Sequence, residues 1–397
     1  MSSPWPPVDY ETQTWISAAA ASGDKSASLE QLTAHYDAAI PPYIARLTPE
    51  TSTHVAGLAS DALLELSRFD AELGERVAAF APVLLRSEAA ASSQIENLTA
   101  SACQILTAEL GARASSHALQ ITANTRAMRV ALSLADELSP ATIREMHKML
   151  LEGQPRFSPG EFRKEAVWIG SRNDSPVGAT FVPPVWTRVP QLVDDVVAFA
   201  GRRDVSPLVS VAVAHAQFET IHPFSDGNGR TGRALAQSML RRSGVTRTVA
   251  VPVSAGLLAD VDGYHQALMD YREGHVDPIV RAFALAALRA VANARQLISD
   301  IDAIRTSWNT RLTARRQSGA WRLLDVIARR PVLDAKTAAA ELDVQVPNVY
   351  PPLRKLVEDG ILQSKNEHHF GRVWRSTELL DAIDAFAERA GRRQLAS

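Results

Sequence analysis

The chain has 397 residues, 46% of them hydrophobic, and a formal charge of -2 at pH 7. That length and apolar content can bury more than one core, and the near-balanced charge excludes a global basic field for nucleic acid, so any such contact needs a local patch. A single cysteine, Cys103, excludes an internal disulfide and a cysteine-based zinc cluster and fits a reducing cytosol.

The opening MSSPWPPVDYETQ lacks the basic and apolar regions of a secretory signal, and no apolar run approaches the ~18 residues of a membrane span, so a cytoplasmic protein without a membrane partner is expected. Alanine-rich stretches with apolar residues at helical spacing, such as Val55 to Leu73 and Leu208 to Ile221, predict a mainly α fold. Between them lies RSEAAASSQIENLTAS, Arg86 to Ser101, read as part of a helix. Ser93-Gln94-Ile95-Glu96 there also spells a capping box, S-x-x-E, but EAAASS favours a continuous helix. Strand signals are few: AVWIG (Ala166 to Gly170), a turn SRNDSPVGA and TFVPP (Thr180 to Pro184) predict one hairpin.

Ser206 and Pro207 form an N-cap and first-turn pair for a helix that Pro223 stops, leaving His222 at its end. The sequence HPFSDGNGRTGR follows, and a second helix begins within it. Gly227 and Gly229 suit a backbone cradle for an anion. Arg230 and Arg233 sit at the positive end of the next helix, a conflict that a bound anion removes. Asp226 offers a hard oxygen ligand for Mg²⁺, and His222 can take a proton from a hydroxyl. Together these residue types describe phosphate-transfer chemistry. The same glycines spell G-x-G-x-x-G, but no strand precedes them, which argues against a dinucleotide fold. VTRTVAVPVS downstream reads as extended chain or loop.

These residues resemble the Fic family signature H-P-F-x-[D/E]-G-N-G-R-x-x-R, which His222 to Arg233 fills at every fixed position. The resemblance implies a Fic helical core with a β-hairpin flap and an ATP-dependent transferase that moves AMP to a hydroxyl of an unidentified protein target. It further implies His222 as base, Asp226 as Mg²⁺ ligand, and Gly227, Asn228, Gly229, Arg230 and Arg233 as phosphate binders, with Arg233 facing the γ-phosphate. Phe224 is expected to anchor the loop in the core. The hairpin, preceded by the family-like PGEFR (Pro159 to Arg163), resembles the flap over the active site; Trp168, Ile169, Phe181 and Val182 are its candidate target-positioning residues. Tyr264 stands where the family has the first of two tyrosines near the adenine, with His265 in place of the second. Ser92 and Glu96-Asn97 match the family's inhibitory pattern [S/T]-x-x-x-E-[G/N], which implies that Glu96 pairs with Arg233 and blocks γ-phosphate binding. Related activities, AMP removal or transfer of another phosphate-containing group, are the alternatives within the family.

Near Arg315 to Gly319 the pattern changes, and the remaining order of elements predicts a winged helix-turn-helix. Pro347, Pro351 and Pro352 crowd its second helix. Nine Lys/Arg against seven Asp/Glu between Gly319 and Ser376 leave a modest footprint, so protein contact or homodimerisation is favoured over DNA, for which Arg354, Lys355 and Arg372 are the best phosphate contacts. A nucleotide-responsive DNA-binding regulator is the alternative from another class. The expected domains are an N-terminal helical domain with the inhibitory helix (1–105), a catalytic core (106–295), a linker helix (296–318) and the winged helix (319–397).

Overall fold

In the computed structural model, which describes residues 5–16, 33–170, 174–367 and 370–391, the chain opens with strands where helix was expected. Strand β1 (Asp9–Ile16) pairs antiparallel with β2 (Thr33–Ile40), Asp9 opposite Ile40 and Ile16 opposite Thr33. Exposure alternates along β1, but Tyr10 and Ile16 face outward while Glu11 and Gln13 turn inward. This corrects the first part of the expected helical domain: the burial period is two, but the polar residues sit on the inner face and hide it. Glu11 is held there by Arg188, with two contacts of 3.1 Å.

Helices then dominate. In α1 (Thr53–Leu73) the Ser52 hydroxyl caps the first turn, accepting from the Val55 N–H. Helix α2 (Val77–Ile95) contains Ser92 and ends at Glu96. Ser93 lies inside it, its Oγ donating to the Ala89 carbonyl at 2.8 Å, so the capping-box alternative does not form. Next come α3 (Ala102–Glu109), α4 (Ser116–Ser133), α5 (Pro140–Leu150) and α6 (Val189–Ala200). Helix α7 (Pro207–Ile221) is buried on every face from Leu208 onward, as expected of a helix at the centre of a core. Helix α8 (Asn228–Arg242) packs beside it, followed by α9 (Val253–Leu258) and α10 (Val261–Arg272). Residues 245–252 of VTRTVAVPVS are a loop rather than a strand, and its last two residues open α9. Asp70 holds the loop by accepting from the N–H groups of Arg247, Thr248 and Val249 and from the Thr248 hydroxyl, all at 2.9 to 3.1 Å.

Helix α11 (Asp277–Arg311) runs 35 residues without a break, so the chain passes the expected boundary at 295 inside one helix. At about 1.5 Å per residue it is about 52 Å long. Beyond it stand α12 (Gly319–Arg329), β3 (Val332–Asp334), α13 (Ala335–Leu342), α14 (Tyr350–Glu358), β4 (Gln363–Glu367), β5 (Gly371–Arg375) and α15 (Thr377–Gly391). The three strands form one antiparallel sheet in the order β3-β5-β4. The prolines cost α14 little: Pro347 lies in a short 3-10 turn, and Pro351 and Pro352 occupy the first turn, where no intrahelical N–H bond is lost. Lys355 pairs with Asp359 at 2.9 Å.

Helix α15 turns back onto α11 and α2. The buried Trp308 indole donates to Glu378 at 2.8 Å, Asn293 Nδ2 to the Phe386 carbonyl at 3.1 Å, and Arg389 Nε to Asn293 Oδ1 at 2.7 Å. One hydrophobic core therefore continues from Trp5 to Ala390.

Candidate active site

His222 ends α7 in the left-handed region, φ 49° and ψ 62°, a conformation costly for a residue with a Cβ. Arg163 holds it there. Its guanidinium donates to the carbonyls of His222 (2.8 Å), Ile221 (3.3 Å), Glu165 (3.0 Å) and Pro184 (2.6 Å), and its own N–H donates to Pro223 O at 3.0 Å. Burial, with Arg163 and Arg272 nearby, lowers the His222 pKa to about 4, so the ring is neutral at pH 7 and able to accept a proton.

The following loop is fastened from below. Phe224 is fully buried, with the His147 ring stacked on it at 3.7 Å and 5°. The Gly160 N–H donates to His147 Nδ1 at 2.9 Å, which leaves the ring proton on Nε2 to donate to the Asp226 carbonyl at 3.0 Å. Burial lowers the His147 pKa to about 4 and keeps this tautomer neutral. Asn228, expected to hold phosphates, turns its side chain inward: Oδ1 accepts from Phe224 N–H at 2.9 Å and Nδ2 donates to Phe224 O at 2.8 Å. Its backbone remains in the cradle. Phe224→Ala is expected to lower stability by ~3–5 kcal/mol, measured by denaturant unfolding; a loss under ~1 kcal/mol would mean that the Asn228 bonds hold the loop alone.

Gly227 caps α8 at φ 74° without a side chain, so the first-turn N–H groups point outward with no capping oxygen. Arg230 is 4% exposed, and its buried Nε and Nη1 have no hydrogen-bond partner; its Nη2 lies 3.5 Å from Asp226 Oδ2. A buried guanidinium with free donors beside a helix N-terminus calls for an anion. The Asp226 side chain is 41% exposed at the mouth. Among the described residues no three acidic or histidine groups cluster to hold a metal. One carboxylate plus substrate phosphates is a usual Mg²⁺ set, so Asp226 fits that ion.

Arg233, 2% exposed, donates from Nε to Ser92 Oγ (2.9 Å) and from Nη2 to Ser92 O (2.7 Å) and Glu96 Oε1 (2.9 Å). Glu96 reaches in from the end of α2, and Gly229 makes room, since a Cβ there would collide with Glu96 Oε1. Burial works against both charges, but each partner stabilises the other: the Arg233 pKa is raised and that of Glu96 lowered. Asn97 follows with φ 60°. Two buried anchors seat α2: Asn124 Nδ2 donates to Ala89 O (2.9 Å) and Ser93 Oγ (3.1 Å), and the Glu88 carboxylate accepts from Ser254 N–H (2.9 Å) and Oγ–H (2.6 Å). Tyr264 is buried, with its hydroxyl 2.7 Å from His215 Nε2.

The hairpin is reduced to one bridge. Ile169 and Phe181 exchange N–H···O bonds of 2.8 and 3.1 Å, and Ser171 to Asn173 of the turn lie outside the described residues. On the outer side of the second strand, Val182 O accepts from Ala39 N–H of β2 at 2.9 Å. Phe181 and Val182 are buried, Arg272 stacks 3.6 Å over Phe181, and Trp168 meets Trp15 edge-on at 5.4 Å. Of the four candidate target-positioning side chains, Ile169 is exposed, Trp168 is half-buried against Trp15, and Phe181 and Val182 are buried on the side that β1 and β2 cover.

The sequence named the loop and Glu96 but missed the supports: His147, Arg163 as a carbonyl clamp, Asn124 and Glu88. PGEFR was a signal for Arg163, whereas the others lie in helices whose pattern reads simply as core.

Residues 137–240 match the model of the Fic/DOC family. Protein adenylyltransferase fic-1 of Caenorhabditis elegans is 30% identical over 149 residues, 38% of this chain and 27% of that one. Protein adenylyltransferase Fic of Drosophila willistoni is 30% identical over 148 residues, 37% and 27%. The match thus spans 27% of the length of these curated relatives. The crystal structure of a Fic family protein from Desulfovibrio desulfuricans shares the fold, with a TM-score of 0.52 at 21% identity, covering 83% of this chain and 98% of that one.

Proposed function

We propose, from the premise that this chain carries a Fic/DOC-family domain over residues 137–240, that it transfers AMP from ATP to a hydroxyl of a protein target and that Glu96 restrains it. The observation that carries the reading is the pair of buried guanidiniums, Arg230 with unpartnered donors and Arg233 held by Glu96, at an uncapped helix N-terminus beside a neutral His222. Arg230 and the first-turn N–H groups of α8 hold phosphate oxygens, and Arg233 takes the γ-phosphate once Glu96 yields. His222 accepts the proton of the target hydroxyl as its oxygen bonds to the α-phosphorus, and the bond to the β-phosphate oxygen breaks, releasing diphosphate. Mg²⁺, when bound at Asp226, neutralises phosphate charge.

The test offers the chain ATP labelled at the α- or the γ-phosphorus, with Mg²⁺ and lysate protein as acceptor. AMP transfer leaves label on protein from the α-position only. Label from the γ-position alone would replace this reading with phosphorylation, and loss of label from previously modified protein would replace it with AMP removal.

A further inference from the structure

Glu219 lies one turn before His222 on α7, and its carboxyl group is nine-tenths buried. It belongs to no part of the twelve-residue signature. Its Oε1 has no hydrogen-bond partner, and its Oε2 stands 3.9 Å from His222 Nδ1, which also meets the Glu219 carbonyl at 3.4 Å. Helix α8 is shaped to admit it: a Cβ at Gly232 would lie 2.8 Å from Glu219 Oε1 and 3.2 Å from the His215 ring. A buried carboxyl without hydrogen bonds is costly and invites a use.

We propose that Glu219 is the anionic partner of His222: its carboxylate beside Nδ1 stabilises the imidazolium formed when Nε2 takes the target's proton. Glu219 acts through His222, so it is a positioning residue, and its role rests on the AMP-transfer reading above. Burial, then Arg163 and Arg272, disfavour the protonated form of His222; the Glu219 carbonyl and the Glu96 charge oppose them, and the second of these is lost in a Glu96→Gly chain. The other charged or titratable groups around Glu219 are Arg233 on α8, Tyr264 and Arg272 on α10, Glu96 at the end of α2, and His215 on its own helix. Burial raises the Glu219 pKa to about 7, against the attraction of Arg233; the Glu96 charge adds to the rise, so removing Glu96 moves this titration downward. The carboxylate therefore forms as pH rises through neutrality, or below it without Glu96, and the transfer rate should rise with it.

The experiment compares the full-length chain carrying Glu96→Gly with Glu96→Gly/Glu219→Gln, an exchange of similar volume, and reads label incorporation from α-labelled ATP on both sides of pH 7 together with ATP affinity by calorimetry. The expected result is a rate about 10- to 100-fold lower for Glu219→Gln above neutrality, loss of the rise with pH, and unchanged ATP affinity; Glu219→Asp restores part of the rise. The same pH profile in both chains overturns the proposal, as does a loss that lies wholly in ATP affinity, which would make Glu219 a partner of Arg233 instead. A Glu96→Gly chain that transfers no AMP at any pH removes the underlying reading, and the proposal falls with it.

Discussion

His222→Ala, placed in the Glu96→Gly background, is expected to lower AMP transfer about 10²- to 10⁴-fold while ATP still binds. The range is what a positioned general base contributes. The ring is suited to that work because it is neutral, with a pKa lowered to about 4. The backbone bonds that Arg163 makes to His222 O and Ile221 O do not involve the ring, so alanine should leave the loop in place. Single-turnover label transfer gives the rate and calorimetry the ATP affinity. A variant within about tenfold of its parent would make another group the base.

Glu96→Gly is expected to raise AMP transfer about 10- to 100-fold. Glu96 occupies one donor of Arg233 at 2.9 Å and sits where Gly229 opens the end of α8. A charge-assisted hydrogen bond of this kind is worth ~1.5–3 kcal/mol, and returning that donor to a γ-phosphate gives roughly the stated factor. The two bonds from Arg233 to Ser92 remain, so the guanidinium stays oriented after the carboxylate is gone. The measurement is label incorporation at matched, sub-saturating ATP. A folded variant with unchanged transfer would leave the contact a structural ion pair and nothing more.

How much of this site was legible in the sequence depends on how far apart its parts lie. The run from His222 to Arg233 is contiguous, and its glycines and arginines announce an anion cradle by type alone. Glu96 could be matched because its own segment carries a recognisable pattern. Glu219 and His147 gave no such sign: each is an ordinary helical residue until packing brings α7, α8 and α5 together. For Asn228 the sequence cannot reveal that both side-chain polar atoms meet the Phe224 backbone, which leaves only its backbone to face the cradle. The β1–β2 hairpin was missed because Glu11 and Gln13 face inward, so no alternation of apolar and polar residues marked it. The expected boundary at 295 falls inside a continuous helix: Asp277 to Arg311 contains no proline after its first turn and no glycine, and nothing interrupts it.

That unbroken helix fixes how the C-terminal elements stand relative to the loop from His222 to Arg233. With α15 folded back along it and Trp308 locked to Glu378, the C-terminal sheet and helices are not a tethered probe sweeping through solution. A flexible linker offers its cargo to a site in every orientation at a diluted local concentration. A strut offers one orientation at one reach, so the C-terminal sheet and helices stand at a fixed place relative to the helices that carry His222.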